Sequence, residues 1–204
     1  MAGRPRGVPD EVILRAATEV IGRGGPSGLT LAAVAREVGL APATLVQRFG
    51  SKAGLLAALA RHSAAEAAAR PERVRAEHGD LLGALTALVA DWTAPMDTPE
   101  RFANHLAMLC ADLADPELHA HARTAHLAQL GAVEALLAEA RLAGELREGT
   151  DLRALAGSVQ AVTAGAGLVW AVERDGPLAE RLARELRTLV SPYLTTGPRT
   201  QEDT

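Results

Sequence analysis

The sequence predicts an all-α protein of about nine helices, a three-helix head followed by a longer helical body. Three observations carry that expectation. The 204 residues are 48% hydrophobic but only 2% aromatic, and alanine and leucine, both strong helix formers, dominate the apolar set. Apolar residues recur at three- and four-residue spacing along most of the chain. Helix punctuation recurs between these runs: a capping Asp, Ser or Thr, often a Pro, then Gly at the far end.

Each element follows from those signals. Pro9, Asp10 and Glu11 open the first helix, since proline suits the first helical position and carboxylates favour the positive end of the dipole. Val12, Ile13, Ala16, Ala17, Val20 and Ile21 give it an apolar face, and Gly24 and Gly25 stop it. Thr30 caps a short second helix over 31–38, ended by Gly39. Pro42 opens a third, closed by Gly50. Ser51 caps a fourth that runs towards Arg70 and Pro71. A fifth is expected over 74–93, carrying Leu81, Leu82, Leu85, Leu88, Val89 and Trp92. A loop at 94–98 precedes a sixth helix from Pro99 to about Leu113. Asp115 and Pro116 start a seventh, ended by Gly144; Asp151 starts an eighth, broken by Asp175, Gly176 and Pro177; the last reaches Tyr193.

A chain of this length holds one large domain, or a small one plus a medium one. The expected division is 1–52 for the head and 53–204 for the body. Cys110 is the single cysteine, so no intrachain disulfide is possible. No N-terminal stretch reads as a signal peptide and no apolar run is expected to reach membrane-spanning length, so a cytoplasmic protein without membrane contact is expected. The net charge of −4 hides an asymmetry. Residues 1–52 carry seven basic and four acidic groups, a net of +3; the other 152 carry 14 and 21, a net of −7. A basic head on an acidic body suits a protein that touches phosphate with one end.

The segment from Thr30 to Phe49 has the physics of a helix-turn-helix. Two short helices must cross steeply over a tight turn, and Gly39 tolerates the φ > 0 this requires. Small Ala35 permits close approach. Val34, Val38, Leu40, Leu45 and Phe49 face inward. Ala43, Thr44, Val46, Gln47 and Arg48 are left outward, short or hydrogen-bonding groups that fit a major groove.

The pattern Thr30, Ala35, Gly39, Thr44, Leu45, Phe49, then Gly50, Ser51, Lys52 and Leu55, Leu56, resembles the DNA-binding head of the tetracycline-repressor (TetR) family over about residues 9–60. The body is similar more loosely, at Asp115–Pro116, Gly144–Glu145–Leu146, Gly165–Ala166–Gly167 and Pro192–Tyr193–Leu194. Two positions depart from the family pattern. Ala41 replaces a capping serine, and Val46 replaces a phosphate-contacting tyrosine; a valine donates no hydrogen bond but can touch a thymine methyl.

Chemistry and resemblance together assign roles. Lys52, the only lysine, lies where charge and helix dipole both favour a phosphate. Thr30 and Thr44 offer hydroxyls, Arg36 and Arg48 neutralise phosphates, and Gln47 can pair with adenine. Pro42, Ala43 and Val46 complete the DNA-facing set. Arg4 and Arg6 either reach the minor groove or form an unattached terminus. One head makes few base contacts, so a homodimer on a palindromic operator is expected. Leu178, Leu182, Leu186, Leu189 and Tyr193 form one apolar stripe, and Ala161, Ala164 and Gly165 a small-residue face. Helical spacing does not separate an interface from packing on the body; the resemblance implies a four-helix interface. Candidate linings for a small, lipophilic effector are Trp92, His105, Met108, Leu109, Asp112, His126, Gln129, Val133, Gln160, Thr163 and Trp170. Each of these can equally be plain core.

The resemblance implies a repressor released by its effector, with no cofactor. Two other classes compete. A metal-binding or enzymatic protein would need more than the pairs His105 with Asp112 and His119 with His126, and no nucleophile stands beside a base. An architectural helical protein would not need a basic head.

Overall fold

The structure, a computed structural model, describes residues 7–195, so Arg4 and Arg6 lie outside the described residues. Among these, nine α-helices form: α1 (Asp10–Gly28), α2 (Leu31–Glu37), α3 (Pro42–Phe49), α4 (Lys52–Glu77), α5 (Leu81–Thr93), α6 (Pro99–Ala114), α7 (Pro116–Leu142), α8 (Leu152–Glu173) and α9 (Leu178–Val190). Side chains of Thr30, Ser51, Asp80, Thr98 and Asp151 accept the amides of Ala33, Gly54, Gly83, Arg101 and Ala154, filling orphan donors at five helix starts. One antiparallel bridge, Leu146 with Leu194, ties the α7–α8 connection to the chain after α9.

Two cores form. In the head, Ile13, Ala17, Val34, Ala35, Leu45 and Leu55 are fully buried. In the body, Leu85, Leu88, Val133, Leu136, Leu137 and Leu186 are. Two helices bury residues in both. α4 gives Leu55 and Leu56 to the head and Val74 to the body; α6 gives Met108 to the head and Phe102 to the body. The head core therefore draws on residues beyond 52.

Four elements differ from expectation. α1 breaks at Gly25 (φ 57°, ψ −157°), as its glycines suggest, but helical turns resume to Gly28. α4 does not stop at Pro71; it continues to Glu77 with Pro71 buried. Proline offers the Ala67 carbonyl no N–H, and the burial of Ala67, Pro71 and Val74 along a helix that lies on α7 offsets that loss. The break comes instead before Leu81, not before 74. There Asp80 caps α5, and the Glu145 carboxylate accepts the Leu81 amide (2.6 Å) while pairing with Arg75. The third difference is α9. Leu178, Leu182 and Leu186 are buried inside the body and cannot form the face offered to a second copy. An amphipathic helix has one apolar stripe, and the protomer's own core takes it. Leu189 is half-buried, and Tyr193 is exposed.

Finally, α8 is long and apolar enough to cross a membrane by length and composition, with a mean hydropathy of 1.5 over 18 residues, contrary to expectation. Its polar residues within 154–172 are uncharged. Leu155, Ala156, Val159 and Trp170 pack into the body core.

Burial separates two chemically identical substitutions. Leu186→Ala should lower the unfolding free energy by about 2–5 kcal/mol, because it opens a cavity in the body core. Leu142→Ala, at a position 87% exposed, should change it by less than about 0.5 kcal/mol. Urea unfolding at one protein concentration measures both.

Candidate nucleic-acid interface

The interface is built from a turn. α2 ends with Gly39 at φ 67°, and the Leu40 amide donates to the Ala35 carbonyl (2.8 Å) while Gly39 donates to Arg36 (3.3 Å). This pairing satisfies the last carbonyls of α2 and turns the chain sharply into α3. Pro42 then starts α3 with no side-chain cap from Ala41. The end of α3 presses on the start of α4: a Cβ on Gly54 would fall 1.9 Å from the Phe49 carbonyl oxygen, so only glycine fits.

With Leu45 buried and Phe49 half-buried, α3 presents Pro42, Ala43, Val46, Gln47 and Arg48 outward, Val46 at 51% exposure; Thr44 is half-buried. Thr30 is exposed, and its hydroxyl oxygen accepts the Ala33 amide (3.0 Å). Arg36 is exposed. Two expected phosphate ligands are engaged within the protein. The Arg48 guanidinium donates to the Val8 carbonyl (2.5 Å) and to Asp10 (3.0 Å). The Lys52 ammonium donates to the Pro26 carbonyl (2.6 Å).

The sequence reading missed the joint between head and body. Pro26 stands four residues after Gly22 and has no N–H to give its carbonyl. Asn104 of α6 donates to that carbonyl instead (2.8 Å). Beside it, Arg101 donates to Glu19 of α1 (2.8 Å) and to the Pro95 carbonyl (2.8 Å). A proline four residues after a core-facing glycine was the available signal.

The eleven residues expected around an effector do not share one fate. Val133 and Trp170 belong to the body core, and the Trp170 indole donates to the Gly176 carbonyl (2.8 Å). Met108 belongs to the head core. Leu109 and His126 are exposed, while Gln129 and Thr163 are half-buried. The remaining four share a property: Trp92 Nε1, His105 Nε2, Asp112 Oδ1 and Gln160 Oε1 are buried and find no partner within the protein. Two surface hollows, about 230 and 430 Å³, lie elsewhere. Burial, then the Arg101 charge, lowers the His105 pKa, with Glu19 opposing. Burial raises that of Asp112 against the pull of Lys52. Among the described residues no three His, Cys, Asp or Glu side chains group as a metal site.

Ala161, Ala164 and Gly165 are exposed on α8, alongside Leu168, Val169 and Val172.

Residues 13–59, from α1 into α4, match the family described as bacterial regulatory proteins, tetR family. A chain from Rhodococcus sp. described as a TetR-family transcriptional regulator is 25% identical, with a TM-score of 0.70 over 91% of this chain and 98% of its own. SmeT, the repressor of the Stenotrophomonas maltophilia multidrug efflux pump SmeDEF, is 23% identical, with a TM-score of 0.63 over 94% and 93%. FadR from Bacillus subtilis, solved with stearoyl-CoA, is 19% identical, with a TM-score of 0.64 over 90% and 98%. The last two likenesses concern the fold alone. No curated protein matches the sequence.

The depressed His105 pKa fixes a pH dependence. Between that value and ~6.5 the unfolded chain binds the proton and the folded chain does not, so stability falls as pH drops through this window and is whole above it. His105→Gln lacks this component. Thermal unfolding at two pH values should therefore show a smaller wild-type advantage over the variant at about pH 5 than at about pH 8.

Proposed function

We propose that the chain, whose residues 13–59 match the tetR family of bacterial regulatory proteins, is a cytoplasmic, homodimeric repressor. It binds a palindromic operator through α3 and is released by a small lipophilic effector held in the body. The observation that carries the DNA-binding half is the exposed row on α3, with Gln47 and Val46 outward on a rigid, core-anchored helix. Lys52 and Arg36 supply phosphate contacts. The exposed α8 face, with Ala161, Ala164, Gly165, Leu168 and Val172, is the surface offered to the second protomer; Leu189 and Tyr193 can flank it. Such a dimer sets two recognition helices roughly 34–36 Å apart, one turn of B-DNA.

The sensing half rests on the unpartnered polar atoms of Trp92, His105, Asp112 and Gln160. Leaving such a group unsatisfied costs about 1–3 kcal/mol each, and a ligand that supplies partners recovers it. They lie on α5, α6 and α8, which also supply the apolar body core, and that mixture suits a lipophilic molecule with a small polar part. The acyl ligand of the Bacillus subtilis FadR and the repressor role of SmeT agree with this direction.

The test uses the duplex that the wild-type protein selects from a random pool, followed by fluorescence anisotropy at several salt concentrations. Lys52→Ala should weaken binding on all sequences and reduce the salt slope by about one. Gln47→Ala should mainly relax discrimination at one base pair, by about 1–3 kcal/mol. A reversed pattern would mean that α3 is oriented differently in the groove.

A further inference from the structure

Arg48 lies in the last turn of α3, yet its guanidinium turns back across the head. Nη1 donates both to the Val8 carbonyl (2.5 Å) and to the Asp10 carboxylate (3.0 Å), 40 and 38 residues earlier in the chain. Its side chain is 30% exposed, less than the 64% of its partner Asp10. The Val8 carbonyl precedes α1, where the amides of Val12 and Ile13 turn to the Pro9 carbonyl instead. Arg48 therefore supplies a partner that the helix does not. The paired carboxylate also offsets the charge that a phosphate ligand would need.

α3 depends on ties of this kind. It has eight residues, about 12 Å of helix, too short to hold its shape alone. Ala41 gives it no side-chain cap, and Leu45 is its one fully buried residue. α3 rests on α2 and α4 and scarcely meets α1. Leu45, with half-buried Phe49, fixes where the helix sits better than how it is turned. Arg48 adds a tie to the start of α1, one residue beyond Gln47. A group that reads a base edge has to be held within roughly 0.5 Å and 10–20°, so a small turn of α3 takes Gln47 off its base.

We propose that the Arg48–Asp10 pair determines base specificity: it fixes the angle at which α3 presents Val46 and Gln47 to base edges, and Arg48 is a positioning residue, not a phosphate ligand. This rests on the DNA-binding reading above.

Fluorescence anisotropy on the full chain tests it. The probes are the duplex that the wild-type protein selects and the single-base-pair variants of that duplex. Arg48→Ala should lower discrimination between selected and variant duplexes by roughly 5- to 10-fold, with the salt slope unchanged. Asp10→Ala, which leaves Arg48 in place and keeps the test alive if Arg48→Ala fails to fold, should lower it in the same direction. The double variant should lose no more than Arg48→Ala alone. Arg36→Ala, a phosphate-facing control, should weaken binding to every duplex alike and reduce the slope by about one. The proposal is overturned if Arg48→Ala behaves as Arg36→Ala does, or if both Arg48→Ala and Asp10→Ala keep full discrimination. It is equally overturned if Asp10→Ala tightens binding to every duplex by freeing the guanidinium. A wild-type protein that selects no duplex overturns the DNA-binding reading, and this inference with it, before any variant is compared.

Discussion

A missing hydrogen at Pro26 organises the centre of the molecule. Gly22 would normally pass its carbonyl to the amide four residues on, but proline has none. The freed carbonyl takes the Asn104 amide of α6, and the Pro26 carbonyl, at the broken end of α1, takes the Lys52 ammonium of α4. A neutral hydrogen bond contributes about 1 kcal/mol, and one to a charged group about 1.5–3 kcal/mol. Removing either partner would leave a carbonyl at the end of α1 without its bond. The Arg101–Glu19 pair and the burial of Met108 in the head core reinforce the same contact.

This joint places the head in register with the body. α6, like α4, gives side chains to both cores while bonding to the backbone of α1. Two of the buried, unpartnered polar atoms, on His105 and Asp112, lie on that helix. Under the proposed function, a ligand that engages them pulls on the element that carries Asn104 and Arg101. Lys52 then connects the end of α1 to the start of α4. A ligand that prefers one setting of α6 would shift DNA affinity by its differential affinity for the two settings, and DNA would shift ligand affinity equally.

Much of the head was legible in the sequence, because local rules govern it. Thr30, Gly39, Pro42 and Ser51 each act within four residues, and the helix starts follow them closely. The stretch that resembles the family, from Thr30 to Lys52, is likewise contiguous. What stayed hidden depends on residues far apart in the chain. Periodicity showed that Leu178, Leu182 and Leu186 share a face but not whether a core or a partner receives it; α5 and α8 of the same protomer do. Met108 looked like a body residue until α6 was seen to reach the head. Arg48 and Lys52 looked free because their acceptors are backbone carbonyls, which no side-chain pattern announces. Pro71 looked like a helix end because tertiary burial, not propensity, carries α4 through it.

The joint is tested most directly by amide hydrogen exchange in Asn104→Ala. Loss of that side chain leaves the Gly22 carbonyl unpaired. Exchange should quicken together in α6, in the last two turns of α1 and at the start of α4, with α8 and α9 unchanged. Faster exchange confined to α6, with α1 and α4 as in the wild type, would contradict a head held to its body at Pro26.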